Sequence, residues 1–148
     1  MKRTTAVYAL ALLAAGAGML PAQAAGKVKP MHGSYTVSLA PDPSPNATNT
    51  AGKEGCSGVS PAGVDKHPLT LPGKGLLKVT LDSPDPTGQG VTDWDLYVVD
   101  STGTIIDGSH GGTSHEETAT KFKTAQPVTI VVCNLAGEPN GTVTYDFR

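Results

Sequence analysis

The segment DWDLYVVD, residues 93–100, decides the fold because its side chains alternate between two kinds. Trp94, Leu96 and Val98 form an apolar set on one side, and the residues between them form the opposite side. This alternation predicts a half-buried β-strand. The next residues, Asp100-Ser101-Thr102-Gly103, carry Asp at the first position and Gly at the last, which suits a type I turn. We therefore expect the chain to reverse there into a second strand.

The rest of the chain repeats this pattern of short strands and turns, with no helical period after residue 24. Val128 to Leu135 is almost continuously apolar, which predicts a central strand covered on both faces. Glu117 to Thr124 alternates charged residues with others, as an edge strand does. About seven strands predict an all-β fold, an antiparallel two-sheet sandwich of the jelly-roll-like kind. They are centred on residues 34–39, 76–81, 93–99, 104–107, 117–124, 128–135 and 143–147.

Three segments between these strands carry the turn and loop signals. Residues 40–68 are rich in Pro and Gly and poor in apolar residues, which predicts a long loop. Residues 108–115, Gly-Ser-His-Gly-Gly-Thr-Ser-His, predict a mobile loop. Pro139-Asn140-Gly141 is typical of a tight hairpin.

Residues 1–24 have the three parts of an export signal. Lys2 and Arg3 are basic, an apolar run follows, and Ala22-Gln23-Ala24 is a small-x-small cleavage site. The apolar run is shorter than the roughly 20 residues that a spanning helix needs. We therefore expect cleavage, a secreted (extracellular) protein with no membrane span, and one domain over residues 25–148.

The net charge argues against a nucleic-acid partner, and the cysteines predict a disulfide bond. The chain of 148 residues has a formal net charge of −2, which gives no electrostatic footprint for nucleic acid. Cys56 and Cys133 are the two cysteines, and in an exported chain they predict one disulfide. Such a bridge would fasten the 40–68 loop to the body of the domain.

Four segments, in order, resemble a known family: GLLKVTLD (75–82), DWDLYVVDSTGTII (93–106), HEETATKF (115–122) and VTIVVCNLAGEPNGTVTYDF (128–147). They are similar to the bacterial pre-peptidase C-terminal domain, a small β-sandwich often appended to secreted proteases. The resemblance covers about residues 69–148, and its most specific part is Asp93-x-Asp95-Leu96 with the Asp100/Gly103 turn. Some members bind calcium or extracellular polymers, but neither property transfers on fold alone. The 40–68 loop and the cysteine pair lie outside the family pattern.

The metal candidates are Asp93, Asp95 and Asp107, because Ca²⁺ prefers several carboxylate and carbonyl oxygens. Asp93 and Asp95 point the same way on one strand, and a hairpin would return Asp107 nearby, with Asp82 and Asp85 available from the preceding loop. The alternative is that these acids simply face solvent. The sequence lacks the calcium loop pattern D-x-[DN]-x-[DN]-G. We therefore expect no cofactor, with calcium as the alternative.

Tyr97, His110 and His115 are the candidate binding residues. Tyr97 lies on the strand face opposite Trp94 and is expected either outward or in the core. The two histidines of a Gly-rich loop are not pre-organised as zinc ligands. They predict a flexible polar loop.

Three functions follow from these residues. The leading interpretation is a secreted, non-catalytic binding or accessory module for an extracellular polymer, a protein or the cell surface. The second is a secreted hydrolase that uses residues 107–117, although G-x-S-x-G is absent. The third is a structural calcium-binding module.

Overall fold

The computed structural model describes residues 28–42 and 55–148. The predicted export signal and residues 43–54 of the predicted loop lie outside this range. Within it, a short 3₁₀ turn, Pro61–Gly63, precedes the second strand, and no helix is long and apolar enough to cross a membrane. The strands are β1 (Met31–Ser38), β2 (Val64–Leu71), β3 (Gly75–Asp82), β4 (Asp93–Asp100), β5 (Ile105–Thr113), β6 (His115–Phe122), β7 (Gln126–Ala136) and β8 (Asn140–Phe147).

Eight strands form two four-stranded sheets. Sheet A has the order β1-β8-β3-β6, and sheet B has the order β2-β7-β4-β5. Every pairing is antiparallel. This is the strand order of a jelly roll, so the predicted all-β sandwich is confirmed, with eight strands in the described residues where about seven were expected.

The core lies between the sheets and follows the alternation of the sequence. Trp94, Leu96 and Val98 of β4 are fully buried there, and the indole Nε1 of Trp94 donates a hydrogen bond to the Glu138 carbonyl at 3.2 Å. Removing each Leu, Val or Phe side chain from water contributes about 1.5–3 kcal/mol. The two sheets therefore stay together mainly through this apolar layer. Its other fully buried members are Leu71, Leu77, Val79, Leu81, Ile130, Val143 and Phe147.

A second apolar layer covers the outer face of sheet B. The disulfide Cys56–Cys133 is present, with its Cα atoms 5.9 Å apart, so the predicted bridge is confirmed. Cys133 lies on β7 and points away from the core, which fastens residues 55–60 across the sheet. Cys56, Val59, Tyr97, Val99, Val131, Cys133 and Leu135 form this layer. This cover explains why β7 is apolar on both faces.

Two predicted loops contain strand. The segment 40–68 was expected to be a loop throughout, but its last five residues begin β2. Pro68 lies within that strand, which an edge position tolerates because the missing N–H takes no ladder bond. Residues 108–115 were expected to be a mobile loop, but most of them belong to β5, which pairs with β4 with two register shifts.

Pro139-Asn140-Gly141 does not close a hairpin. Residues 137–139 connect β7 of sheet B to β8 of sheet A, which begins at Asn140 and pairs with β1 and β3. The predicted turn is therefore a crossing between the sheets. The predicted turn at residues 100–103 is confirmed, because Gly103 donates its N–H to the Asp100 carbonyl at 3.0 Å. The predicted edge strand is also confirmed, as β6.

Candidate functional site

Asp93, Asp95, Tyr97 and His110 lie together on the outer face of sheet B, and we call them the Asp95 cluster. The Tyr97 hydroxyl donates a hydrogen bond to Asp95 Oδ2 at 3.0 Å. The Tyr97 and His110 rings are nearly parallel, with centroids 6.3 Å apart. The negative charge of Asp93 acts on Asp95 from the start of the same strand, and β5 adds His110 to the pair of Asp95 and Tyr97.

Burial controls the electrostatics of this cluster. Asp95 is only 2% exposed, and this desolvation raises its pKa to about 6, against the lowering effect of the Tyr97 hydrogen bond. Burial also raises the pKa of Asp93, with a further contribution from the negative charge of Glu116. The Tyr97 pKa is raised by burial and by Asp95. The cluster therefore holds carboxylates that are costly to ionise.

Tyr97 offers no surface to a ligand, since it is 1% exposed beneath the disulfide-anchored segment. Of the two positions that the sequence left open for this ring, the structure shows the buried one. His110 is exposed. His115 lies on β6 in the other sheet, where its Nδ1 is 2.6 Å from Asp82 Oδ1. The three candidate binding residues therefore do not share one site.

Asp107 lies on the opposite side of sheet B from Asp95. It is the register partner of the core residue Val98, and it accepts a hydrogen bond from the Thr120 hydroxyl of β6. Within the described residues, no group of three or more His, Cys, Asp or Glu is placed to hold a metal ion. Asp93 Oδ1 is buried without a hydrogen-bond partner among them, but one free oxygen does not meet the six to eight that Ca²⁺ takes. The three aspartates of the predicted calcium site are therefore not brought together, and calcium binding stays a prediction.

Glu116 is a buried acid that lies within the segment 107–117 of the hydrolase hypothesis but was not chosen as a site residue. It is 2% exposed and lies between the sheets, where it accepts hydrogen bonds from the Ser109 hydroxyl, the Thr113 hydroxyl at 2.9 Å and the Gly111 N–H at 3.2 Å. The sequence alternation could have indicated this burial, because Glu116 lies on the same face of β6 as the buried Phe122. Glu116 joins the two edge strands β5 and β6 across the sandwich.

The residues proposed for a hydrolase are separated by this arrangement. Ser109 points inward to Glu116, whereas His110 points outward to Tyr97. A nucleophile and its base must lie within hydrogen-bond reach of each other. Asp107, Ser109 and His110 do not form that constellation.

The remaining loop acids stabilise turns. Asp85 accepts the Thr87 hydroxyl at 3.0 Å and the Gly90 N–H at 2.9 Å, and these bonds, the Gly90 one above all, lower its pKa. Asp100 accepts the Thr102 and Thr104 N–H groups at 2.8 and 2.9 Å, and its pKa is likewise lowered, chiefly by the Thr102 hydroxyl. Both carboxylates therefore accept hydrogen bonds within their own loops and stabilise the turns there.

The outer face of sheet A carries an array of hydroxyl groups on three neighbouring strands, and we call it the hydroxyl face. Neighbouring strands bring these side chains into rows, and Ser34 Oγ lies 3.4 Å from Thr144 Oγ1. The face is composed of Ser34, Thr36 and Ser38 of β1, Thr142 and Thr144 of β8, and Thr80 of β3.

A shallow groove of about 410 Å³ crosses one end of the hydroxyl face. Its polar lining is Thr36, Ser38, Thr142, Asn140 and Asp82. All five are exposed, and Asp82 is held by the contact with His115. The groove therefore offers hydroxyl, amide and carboxylate groups side by side.

Comparisons with solved structures show a likeness in fold. No family model and no curated protein matches the chain. Among solved structures, the chain is similar to the pre-peptidase C-terminal domain of a collagenase from Bacillus anthracis. The identity is 8% and the TM-score is 0.42, over 82% of this chain and 89% of that chain. That domain is of the same family that the four sequence segments resemble.

Proposed function

We propose that this chain is a secreted, non-catalytic module that binds a neutral, hydroxyl-rich extracellular polymer through the groove of the hydroxyl face. The observation that carries the proposal is the lining of that groove by Thr36, Ser38, Thr142, Asn140 and Asp82. Sugar hydroxyls both donate and accept hydrogen bonds, and so do Ser and Thr side chains. An Asn amide and a carboxylate fix the orientation of such a ligand.

The two faces of the sandwich support this assignment. Sheet B is covered by the apolar layer around the disulfide, whereas the outer side chains of sheet A are mainly exposed. Polar side chains on rigid strands present hydrogen-bonding groups with little loss of conformational freedom on binding. Sheet A is therefore the better candidate for a binding face.

Secretion is part of the same proposal. The disulfide Cys56–Cys133 is stable in an oxidising compartment, and such bridges are rare in reducing ones. Together with the export signal predicted over residues 1–24, it supports an extracellular location.

Binding to insoluble polysaccharides tests the proposal. The oxidised chain is mixed with cellulose, with chitin or with collagen fibrils, and the protein left in solution is measured. We expect depletion by at least one polysaccharide. The test variant combines Asp82→Ala with Thr142→Val, two substitutions in the lining of the groove. It removes several hydrogen-bonding atoms, and each lost hydrogen bond is worth about 0.5–1.5 kcal/mol. We therefore expect binding about tenfold weaker.

The matched control is Thr70→Val, which alters an exposed strand threonine of β2 in the other sheet. It is expected to bind as the wild type does. Binding to collagen but to neither polysaccharide would indicate a protein ligand and overturn the proposal of a hydroxyl-rich polymer. Equal binding by the groove variant and the wild type would show that the ligand lies elsewhere.

A further inference from the structure

Over residues 28–42 and 55–148 the sandwich has four edge strands, and three of them carry features that oppose pairing with another chain. β2 contains Lys66 and Pro68, and a proline cannot donate to a ladder. β5 is interrupted by two register shifts in its pairing with β4. β6 presents Glu117 and Lys121 on its exposed side. Charges, prolines and bulges are the means by which proteins protect sheet edges.

The fourth edge, β1, has none of these features. Its sequence, MHGSYTVS, contains no Pro, Lys, Arg, Asp or Glu. All eight residues pair with β8 without a register shift, from Met31 opposite Phe147 to Ser38 opposite Asn140. Among the described residues, β1 has a neighbouring strand on this side only. In the part of the chain that the structure describes, β1 is therefore a regular edge strand without a protective feature.

The hydrogen-bonding direction of β1 can be assigned. The Leu39 N–H donates to the Pro139 carbonyl at 2.7 Å, which continues the β1–β8 register by one position. In an antiparallel pair, alternate residues direct their N–H and C=O groups to the same side. The odd-numbered residues therefore bond to β8. The even-numbered residues His32, Ser34, Thr36 and Ser38 direct both groups to the open edge.

We propose that a second copy of this chain pairs with this edge, β1 against β1 in antiparallel orientation, around a two-fold axis at Tyr35. This register places Ser34 opposite Thr36 of the second copy, and His32 opposite Ser38. It uses all four open residues of each strand, which gives about eight backbone hydrogen bonds. The two copies of sheet A join into one eight-stranded sheet.

A second copy fits this edge because β1 is complementary to itself. The directly opposed side chains on the outer face include Ser and Thr, which form favourable cross-strand pairs. No two formal charges of like sign meet, since β1 lacks acidic and basic residues apart from His32. The contact is isologous and uses up the open edge in each copy, so it closes as a dimer.

Light scattering on a sizing column, together with sedimentation, measures the mass of the oxidised chain over a wide range of concentration. We expect twice the monomer mass at high concentration. Ser34→Lys combined with Thr36→Lys sets like charges opposite each other at two symmetry-related positions. We expect this variant to raise the dimer dissociation constant about tenfold. Added salt would partly restore the dimer through screening.

Two matched variants separate the strand register from the effects of charge. Ser34→Lys combined with Thr36→Glu sets opposite charges together in the proposed register, and we expect it to keep the dimer. Thr80→Lys with Thr144→Lys adds the same two charges to inner strands of the same face, and we expect no change in mass. A monomer at every concentration would overturn the proposal. So would dissociation of the Lys/Glu variant to the same extent as the Lys/Lys variant.

Discussion

Replacing Asp95 with asparagine tests the electrostatic account of the outer face of sheet B. Asp95 is almost fully buried, and its pKa rises from 3.8 to about 6 in the folded state. A tenfold change in an acid dissociation constant corresponds to about 1.36 kcal/mol, so ionised Asp95 costs about 3 kcal/mol of stability. Asparagine keeps an oxygen to accept the Tyr97 hydrogen bond and carries no charge. We therefore expect Asp95→Asn to stabilise the fold at pH 7 by as much as about 3 kcal/mol.

The sign of the pH dependence follows from proton linkage. Between about pH 4 and pH 6 the folded state binds more protons at Asp95 than the unfolded state does. The wild-type free energy of unfolding therefore falls as pH rises through this window, and the favourable contribution is lost above about pH 6. The lowered pKa values of Asp85 and Asp100 act in the opposite sense, at pH below 3.8. The difference between wild type and Asp95→Asn isolates the Asp95 contribution.

Urea unfolding at several pH values, followed by the fluorescence of the single Trp94, measures this difference. The variant's gain in stability is expected to grow from near zero at acid pH to its full value at pH 7. Tyr97→Phe provides a second measurement, because it removes a bond that favours the ionised form and so moves the window to higher pH. A gain that does not change with pH, or a variant that is less stable at pH 7, would refute the reasoning.

Three further substitutions test the packing of the two layers, each by urea unfolding of the purified chain. Cys133→Ser opens a crosslink between residues 77 positions apart and is expected to cost about 2–5 kcal/mol; an unchanged midpoint would contradict the role of the bridge. Gly108→Ala would place a methyl group against the Tyr97 ring, and a loss of about 1–3 kcal/mol is expected. Glu116→Ala leaves part-buried donors, including the Ser109 hydroxyl, without an acceptor, so a loss of about 1–3 kcal/mol is expected; a neutral result would show that water replaces the carboxylate.

The sandwich could be predicted because local alternation and core burial agree along most strands. Trp94, Leu96 and Val98 share one side of β4 in the sequence, and the structure buries all three between the sheets. β2 was missed because an edge strand tolerates residues, such as Pro68, that disfavour a central strand. The hairpin predicted at Pro139–Gly141 failed for a different reason. A turn signal shows that the chain reverses, but not which strand the next segment joins.

The burial of the candidate residues could not be predicted from local sequence. Asp95 and Tyr97 lie on the polar side of β4, and a segment more than thirty residues earlier in the chain covers them through the bridge at Cys56. Asp107 was placed beside Asp93 on the assumption of a regular hairpin. The register shifts of β5 and its contact with Thr120 turn Asp107 inward. These outcomes depend on long-range contacts that no spacing in the sequence records.

The polymer-binding groove and the proposed dimer concern the same sheet, and their combination has a consequence for binding strength. Thr36 and Ser38 line the groove and also belong to β1, the strand that would lie at the two-fold axis. Paired strands lie about 4.8 Å apart, so dimerisation would bring the two grooves onto one continuous sheet. A polymer chain that spans both grooves would bind with avidity, whereas a short oligosaccharide would occupy one groove only. A long polymer should therefore lose affinity when the dimer is disrupted, and a short oligosaccharide should lose far less.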